Sequence, residues 1–174
     1  MFSKNWILVL GLALAPVVAQ GQIKKGEQAS INVFPDCTAA PGNLVTNCRF
    51  DTGDFTGWIW GGDTSASGVV SGCGQSGTWC AHMGPVSYNG TVTQCINAPV
   101  GTCSLSFWIR NSGQPSHFAV EWHTNKIMEL YYVPNFPYEQ FSVSGLAGGG
   151  GCLTFEFFNS PSWIDLTDVA VTCP

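Results

Sequence analysis

Five side chains in the second half of this sequence, Trp108, Arg110, Glu121, His123 and Tyr131, combine aromatic rings with planar hydrogen-bonding groups. That mixture suits sugars. A ring face stacks on the C–H side of a pyranose while guanidinium, carboxylate and imidazole groups reach its hydroxyls. The plainer alternative has Arg110 pairing with Glu121 across a hairpin and Trp108 packing under a loop. A face holding all five is harder to ascribe to packing alone, because crowded charges need partners. Joined by His117, the residues His123, Tyr131 and Arg110 also supply the types an elimination enzyme needs on uronate polymers: a base, an acid and a charge neutraliser. No spacing ties those four together. The chain also carries no GxSxG elbow, no HExxH and no phosphate loop. Binding without catalysis is the reading these residues favour, with a polysaccharide lyase as the alternative.

The elements that must position these groups are strands. In "TCSLSFWIR" Leu105, Phe107 and Ile109 alternate with Ser104, Ser106, Trp108 and Arg110. In "HFAVEWH" Phe118, Val120 and Trp122 alternate with His117, Ala119, Glu121 and His123. Period-two alternation puts each apolar set on one face and each polar set on the other. A hairpin at "NSGQPS" that pairs Arg110 with His117 would merge the two polar sets into one face, with Glu129 and Tyr131 as outward neighbours. Gly, Ser, Thr and Pro interrupt the chain at intervals that suit an antiparallel sandwich. Strands are expected near 43–47, 66–71, 79–83, 91–96, 102–110, 117–123, 126–132, 138–144, 151–158 and 163–172, with "GGGG" at 148–151 as a turn. The fold class is therefore all-β, an antiparallel sandwich in a single domain.

Lys4 precedes an apolar run over 6–19 that ends in Val17-Val18-Ala19, the pattern of a secretory signal peptide cleaved after Ala19. The run is interrupted by Gly11 and Pro16 and is short for a bilayer span. Its removal leaves 155 of 174 residues, an arm over 20–36 and a domain over 37–174. Five basic residues then face 11 acidic ones, a balance that excludes nucleic acid and anionic membrane as partners.

All eight cysteines, Cys37, Cys48, Cys73, Cys80, Cys95, Cys103, Cys152 and Cys173, follow that leader. An even number in an exported chain points to disulfides, and the absence of CxxC spacing argues against zinc. Loop size favours Cys73–Cys80 and Cys95–Cys103, and the ends of the domain could be joined by Cys37–Cys173. That leaves Cys48 with Cys152. Asn89-Gly90-Thr91 is an N-glycosylation sequon, used only in a eukaryotic host.

Four segments in order, "NLVTNCRFDTGDFTGW", "SLSFWIRNSG", "FPYEQFSVSG" and "PSWIDLTDVAV", resemble jelly-roll carbohydrate-binding-like domains of the galactose-binding-like type. Those domains open with N-G-G-F-E-T-G-D-F-x-G-W and close with W-x-L-D-D-V-x-V, and many occur in bacterial surface proteins with a C-terminal sorting anchor. The resemblance spans residues 43–172, and no such anchor appears before Pro174. It implies an exported, disulfide-stabilised jelly roll that binds a glycan or cell-surface polysaccharide. A structural wall or matrix protein on the same fold is the alternative.

The resemblance also implies a structural calcium held by Asp51 and Asp168, with carbonyls from Thr52-Gly53 completing the oxygen shell. Capping of turns is the simpler role for both acids. Cys48 and Arg49 stand where the pattern has glycines, Asp51 replaces its Glu, and Thr167 replaces the first Asp of the closing pair. Phe50, Phe55 and Trp58 are expected in the core.

Overall fold

Strands form where apolar residues alternate, and their inward halves meet in one core. The computed structural model describes residues 36–174 apart from 114, 115, 133, 160 and 161. The leader at 1–19 and the arm up to residue 35 lie outside the described residues. Ten strands follow a short 3-10 turn at Cys37–Ala39: β1 (Ile59–Gly62), β2 (Gly68–Ser71), β3 (Trp79–Met83), β4 (Gly90–Asn97), β5 (Thr102–Asn111), β6 (Ser116–Trp122), β7 (Asn125–Tyr131), β8 (Phe136–Ala147), β9 (Gly150–Asn159) and β10 (Ile164–Thr172). They build two antiparallel sheets ordered β1-β4-β9-β6-β7 and β2-β3-β10-β5-β8. This is the expected sandwich. No helix among the described residues is long and apolar enough to cross a membrane.

Phe107 and Ile109 from β5 face Phe118, Phe155 and Phe157 from the opposite sheet, all 1% exposed or less. Phe107 meets Phe118 at 5.8 Å and Phe155 at 5.1 Å between ring centroids. Edge and tilted contacts of this kind add to the burial of their large apolar areas.

The structure corrects three expectations. β5 and β6 do not form a hairpin but belong to different sheets, so Arg110 does not pair with His117. Alternation fixes which side chains point inward, and two strands facing one core from opposite sides satisfy it as well as two neighbours do. Residues 43–47 form no strand. The Asn43 side chain and the Leu44 N–H instead bind the backbone of β10, which docks the segment without a ladder. β1, in "WIWGG", is an edge strand that short alternation did not mark.

The opening loop folds around Asn47, whose amide donates to the Thr52 hydroxyl and to the carbonyls of Asp54 and Thr56. Phe50 and Trp58 are buried as expected, and Phe55 packs half-buried against them. Gly57, at φ +84, has no room for a side chain because an added Cβ would lie 2.7 Å from the Thr46 hydroxyl.

The disulfides are Cys37–Cys48, Cys73–Cys80, Cys95–Cys152 and Cys103–Cys173. Only the Cys73–Cys80 expectation stands. Cys95 lies directly opposite Cys152 in the β4–β9 register, and Thr172 pairs with Ser104, which brings Cys173 to Cys103. Pairing of distant strands, invisible to loop-length reasoning, overrides Cys95–Cys103, Cys37–Cys173 and Cys48–Cys152. A non-reducing peptide map should recover these four links and no alkylated thiol in native protein. Loss of Cys95–Cys152 alone should cost about 2–4 kcal/mol. A Cys95–Cys103 peptide would contradict this strand order.

Asp63 ties two loops together. Its carboxylate, 6% exposed, accepts from the Ser65 hydroxyl and N–H and from the N–H groups of Val86 and Ser87. The Ser65 hydroxyl, followed by these backbone donors, holds its pKa well below the usual carboxylate range. A carboxyl with a depressed folded pKa contributes stability above its unfolded value, which is lost as pH falls through the folded value. The melting temperature should therefore be flat above about pH 5 and fall below about pH 4. Asp63→Asn should shrink that fall, and an unchanged acid limb would contradict the assignment.

Candidate functional site

Strand β10 carries an unusual outward residue. Its inward side chains, Ile164 and Leu166, fill the core, yet the outward Asp165 and Thr167 are also 0% exposed. Register explains how a carboxylate sits there: Asp165 stands beside His82 on β3 and Arg110 on β5. Arg110 donates from Nε at 2.9 Å and from Nη2 at 2.6 Å to Asp165 Oδ2. His82 Nδ1 lies 2.5 Å from Oδ1. A buried carboxylate is tolerated only with such partners, and here it orients two polar side chains across three adjacent strands.

Aromatic rings flank this row. Arg110 lies 5.1 Å over the Tyr138 ring, a cation–π contact, and the Tyr138 hydroxyl donates to the Cys73 carbonyl at 2.6 Å. Burial raises the Tyr138 phenol above its ordinary pKa and keeps it a donor. The Cys73–Cys80 disulfide thus supports the ring under Arg110. Trp163 stacks on His82 at 5.0 Å and 17° and leaves 39% of its surface exposed. Gly84 makes room for that indole, since a Cβ there would lie 2.6 Å from it. Trp108 faces outward, half-buried, with a buried indole N–H that finds no hydrogen-bond partner among the described residues.

The structure divides the five expected ligand residues between two faces. Trp108 and Arg110 lie on the outer side of the β2-β3-β10-β5-β8 sheet. Glu121, His123 and Tyr131 belong to the β6–β7 region of the opposite sheet, where even they are not gathered. His123 stacks on Trp122 at 4.7 Å beyond the end of β6, while Tyr131 pairs with His117 at the far end of that hairpin. Glu121 sits at a bulge beside Lys126.

On that opposite face His117 and Tyr131 do meet, with ring centroids 4.8 Å apart. Both converge on Glu129, which accepts from the Tyr131 hydroxyl at 2.7 Å, stands 3.1 Å from His117 Nε2 and pairs with Lys126. Lys126, then Tyr131, hold the Glu129 carboxyl down at about 2, so it remains an anion. Asn89, the sequon residue, donates its amide to Glu156. The residue types of an elimination site are thus split, with Arg110 on the other sheet.

The two acids expected at calcium are also differently placed. Asp51 is exposed and pairs with Arg49, while the carboxylate grouped with Asp168 is that of Asp36. Asp168 is 3% exposed, and burial raises its pKa. The other cluster of ligating residue types, Cys80, His82 and Asp165, includes a disulfide-bonded sulfur and lacks a free thiolate for a metal.

The signals for His82, Asp165, Tyr138 and Trp163 were present but scattered. Asp165 and Trp163 fall in "PSWIDLTDVAV" and Tyr138 in "FPYEQFSVSG", both quoted for the fold alone. His82, in "WCAHM", becomes visible as a partner only through the β3–β10 register.

No protein-family model matches the sequence, and no curated protein matches it. Solved structures do share the fold. A family 61 carbohydrate-binding module, determined with β-1,4-galactotriose, aligns over 76% of this chain and 99% of its own at 19% identity, with a TM-score of 0.63. An adhesin domain of Lys-gingipain from Porphyromonas gingivalis aligns over 74% and 99% at 19% identity, TM-score 0.59. The family 22 module and catalytic domain of a Clostridium thermocellum xylanase, complexed with xylohexaose, align over 75% of this chain and 29% of that one at 17% identity, TM-score 0.58. The chain has the jelly-roll fold of carbohydrate-binding modules.

Proposed function

We propose that this chain is a secreted, non-catalytic module that binds a glycan along the outer face of the β2-β3-β10-β5-β8 sheet. The observation that carries the reading is the fully buried Asp165, which holds Arg110 and His82 side by side next to the partly exposed ring of Trp163. A carboxylate that only stabilised the fold would not need the exposed indole beside it.

The chemistry of the face follows from what Asp165 leaves free. Arg110 spends Nε and Nη2 on Asp165, which leaves the Nη1 donors for a ligand. With the Nδ1 proton assigned toward Asp165, His82 offers Nε2 as an acceptor. A guanidinium donor and an imidazole acceptor beside a flat ring suit adjacent hydroxyls on a pyranose whose C–H face lies on Trp163. Asp165 offsets the Arg110 charge, and the chain as a whole is acidic, so an uncharged polysaccharide fits better than a uronate. The named ligands of the fold neighbours, a β-linked galactotriose and a xylohexaose, are uncharged too. Secretion rests on the leader pattern and on four disulfides.

Retention on a panel of immobilised glycans tests the reading, with saturable retention on at least one uncharged polymer expected. Trp163→Ala should weaken that retention by about 1–3 kcal/mol and leave the fold intact. No retention on any polymer would favour a purely structural role. Cleavage of a uronate polymer would favour a lyase.

A further inference from the structure

The two places where this chain departs from the resembled opening pattern by replacing glycine, Cys48 and Arg49, converge on one spot. We propose that the Arg49 guanidinium, secured by the Cys37–Cys48 disulfide, stands in this chain where the resemblance puts a structural calcium. The N-terminal segment is thereby held on β10 without a metal.

Calcium needs six to eight oxygens free to turn toward it. Here the candidate oxygens already have donors from the chain. Asp36 accepts Arg49 Nη1 at 2.5 Å on Oδ2, and the Thr38 N–H and hydroxyl, both at 2.8 Å, on Oδ1. Asp51 accepts Arg49 Nε and Nη2 on Oδ2, each at 2.8 Å. Asp168 accepts the Cys37 N–H at 3.3 Å on Oδ1 and the Thr167 hydroxyl at 3.3 Å on Oδ2. The nearby carbonyls are engaged as well. Asn43 donates to those of Cys37 and Val169, and the Val169 N–H takes that of Cys48. Thr52, counted as a calcium neighbour by the resemblance, belongs to the network around Asn47 and Asp54.

Charge points the same way. Asp36, Asp51 and Asp168 all lie within electrostatic reach of Arg49. A guanidinium forks between two carboxylates as a point cation cannot, and it delivers its charge without dehydrating an ion. The Cys37–Cys48 bridge joins the residue after Asp36 to the residue before Arg49, so it fixes donor and acceptor in one geometry. Calcium added at Asp36 and Asp168 would have to displace Arg49 or sit against its positive charge.

Thermal unfolding of the full chain with excess chelator and with millimolar calcium chloride tests the proposal. The melting temperature should be the same in both, and calorimetric titration with calcium chloride should show no saturable heat. Arg49→Gly, which restores the residue of the resembled pattern, should melt at least about 3 °C lower, and Arg49→Lys should lie between it and the parent. If Arg49→Gly fails to fold, the parent's response to chelator and the position of Arg49→Lys still decide. A parent that melts lower in chelator, or an Arg49→Lys that melts as high as the parent, would overturn the proposal.

Discussion

Replacing Asp165 with alanine should lower stability by about 2–4 kcal/mol and abolish glycan retention together. Removing one partner of a buried ion pair leaves the other charge uncompensated, commonly at 3–5 kcal/mol. The side chain of Arg110 is 38% exposed and can turn partly into water, which places the expectation below that range. His82 loses its hydrogen bond at the same time, so Trp163 loses the ordered surface it stacks on. Urea unfolding measures the first effect, provided the slope of the transition is unchanged. Asp165→Asn keeps the shape but cannot accept the same charge-assisted bonds, and it should fall between parent and alanine variant. An alanine variant as stable as the parent would mean that Arg110 and His82 hold themselves in place.

Arg110→Lys should weaken binding by about 2–3 kcal/mol while costing less than about 1.5 kcal/mol of stability. Lysine retains a positive charge for Asp165, so the carboxylate is not abandoned. What it loses is the planar fork, whose Nε and Nη2 donors converge on Oδ2, and the stacking over Tyr138. Binding and stability therefore separate in this variant, whereas they fall together in Asp165→Ala. Equal glycan affinity in Arg110→Lys and parent would remove Arg110 from the site.

How much of this was legible in the sequence depends on the range of the interaction. The inward face of β5 was, because Leu105, Phe107 and Ile109 follow a period that any half-buried strand must show. So was the outward position of Trp108 and Arg110. Which sheet each strand joins was not, since β5 and β6 present the same alternation whether they pair or face each other across the core. That ambiguity wrongly brought Glu121, His123 and Tyr131 to Arg110's face. The same limit misassigned three disulfides, because Cys95–Cys152 and Cys103–Cys173 close 57- and 70-residue separations set by strand order. Asp165 was hidden for another reason: a single acid in an apolar strand reads as solvent-facing until the register shows an arginine and a histidine beside it.

The most direct test of the glycan face compares parent, Arg110→Lys and Tyr131→Ala by calorimetric titration with the soluble form of whichever uncharged glycan the panel identifies. Tyr131 is an exposed aromatic on the opposite sheet, so it controls for non-specific ring contacts. The account predicts saturable binding by the parent and by Tyr131→Ala with equal affinity, and a loss of about thirtyfold or more in Arg110→Lys. Loss of binding in Tyr131→Ala with Arg110→Lys unaffected would contradict it and move the site to the other face.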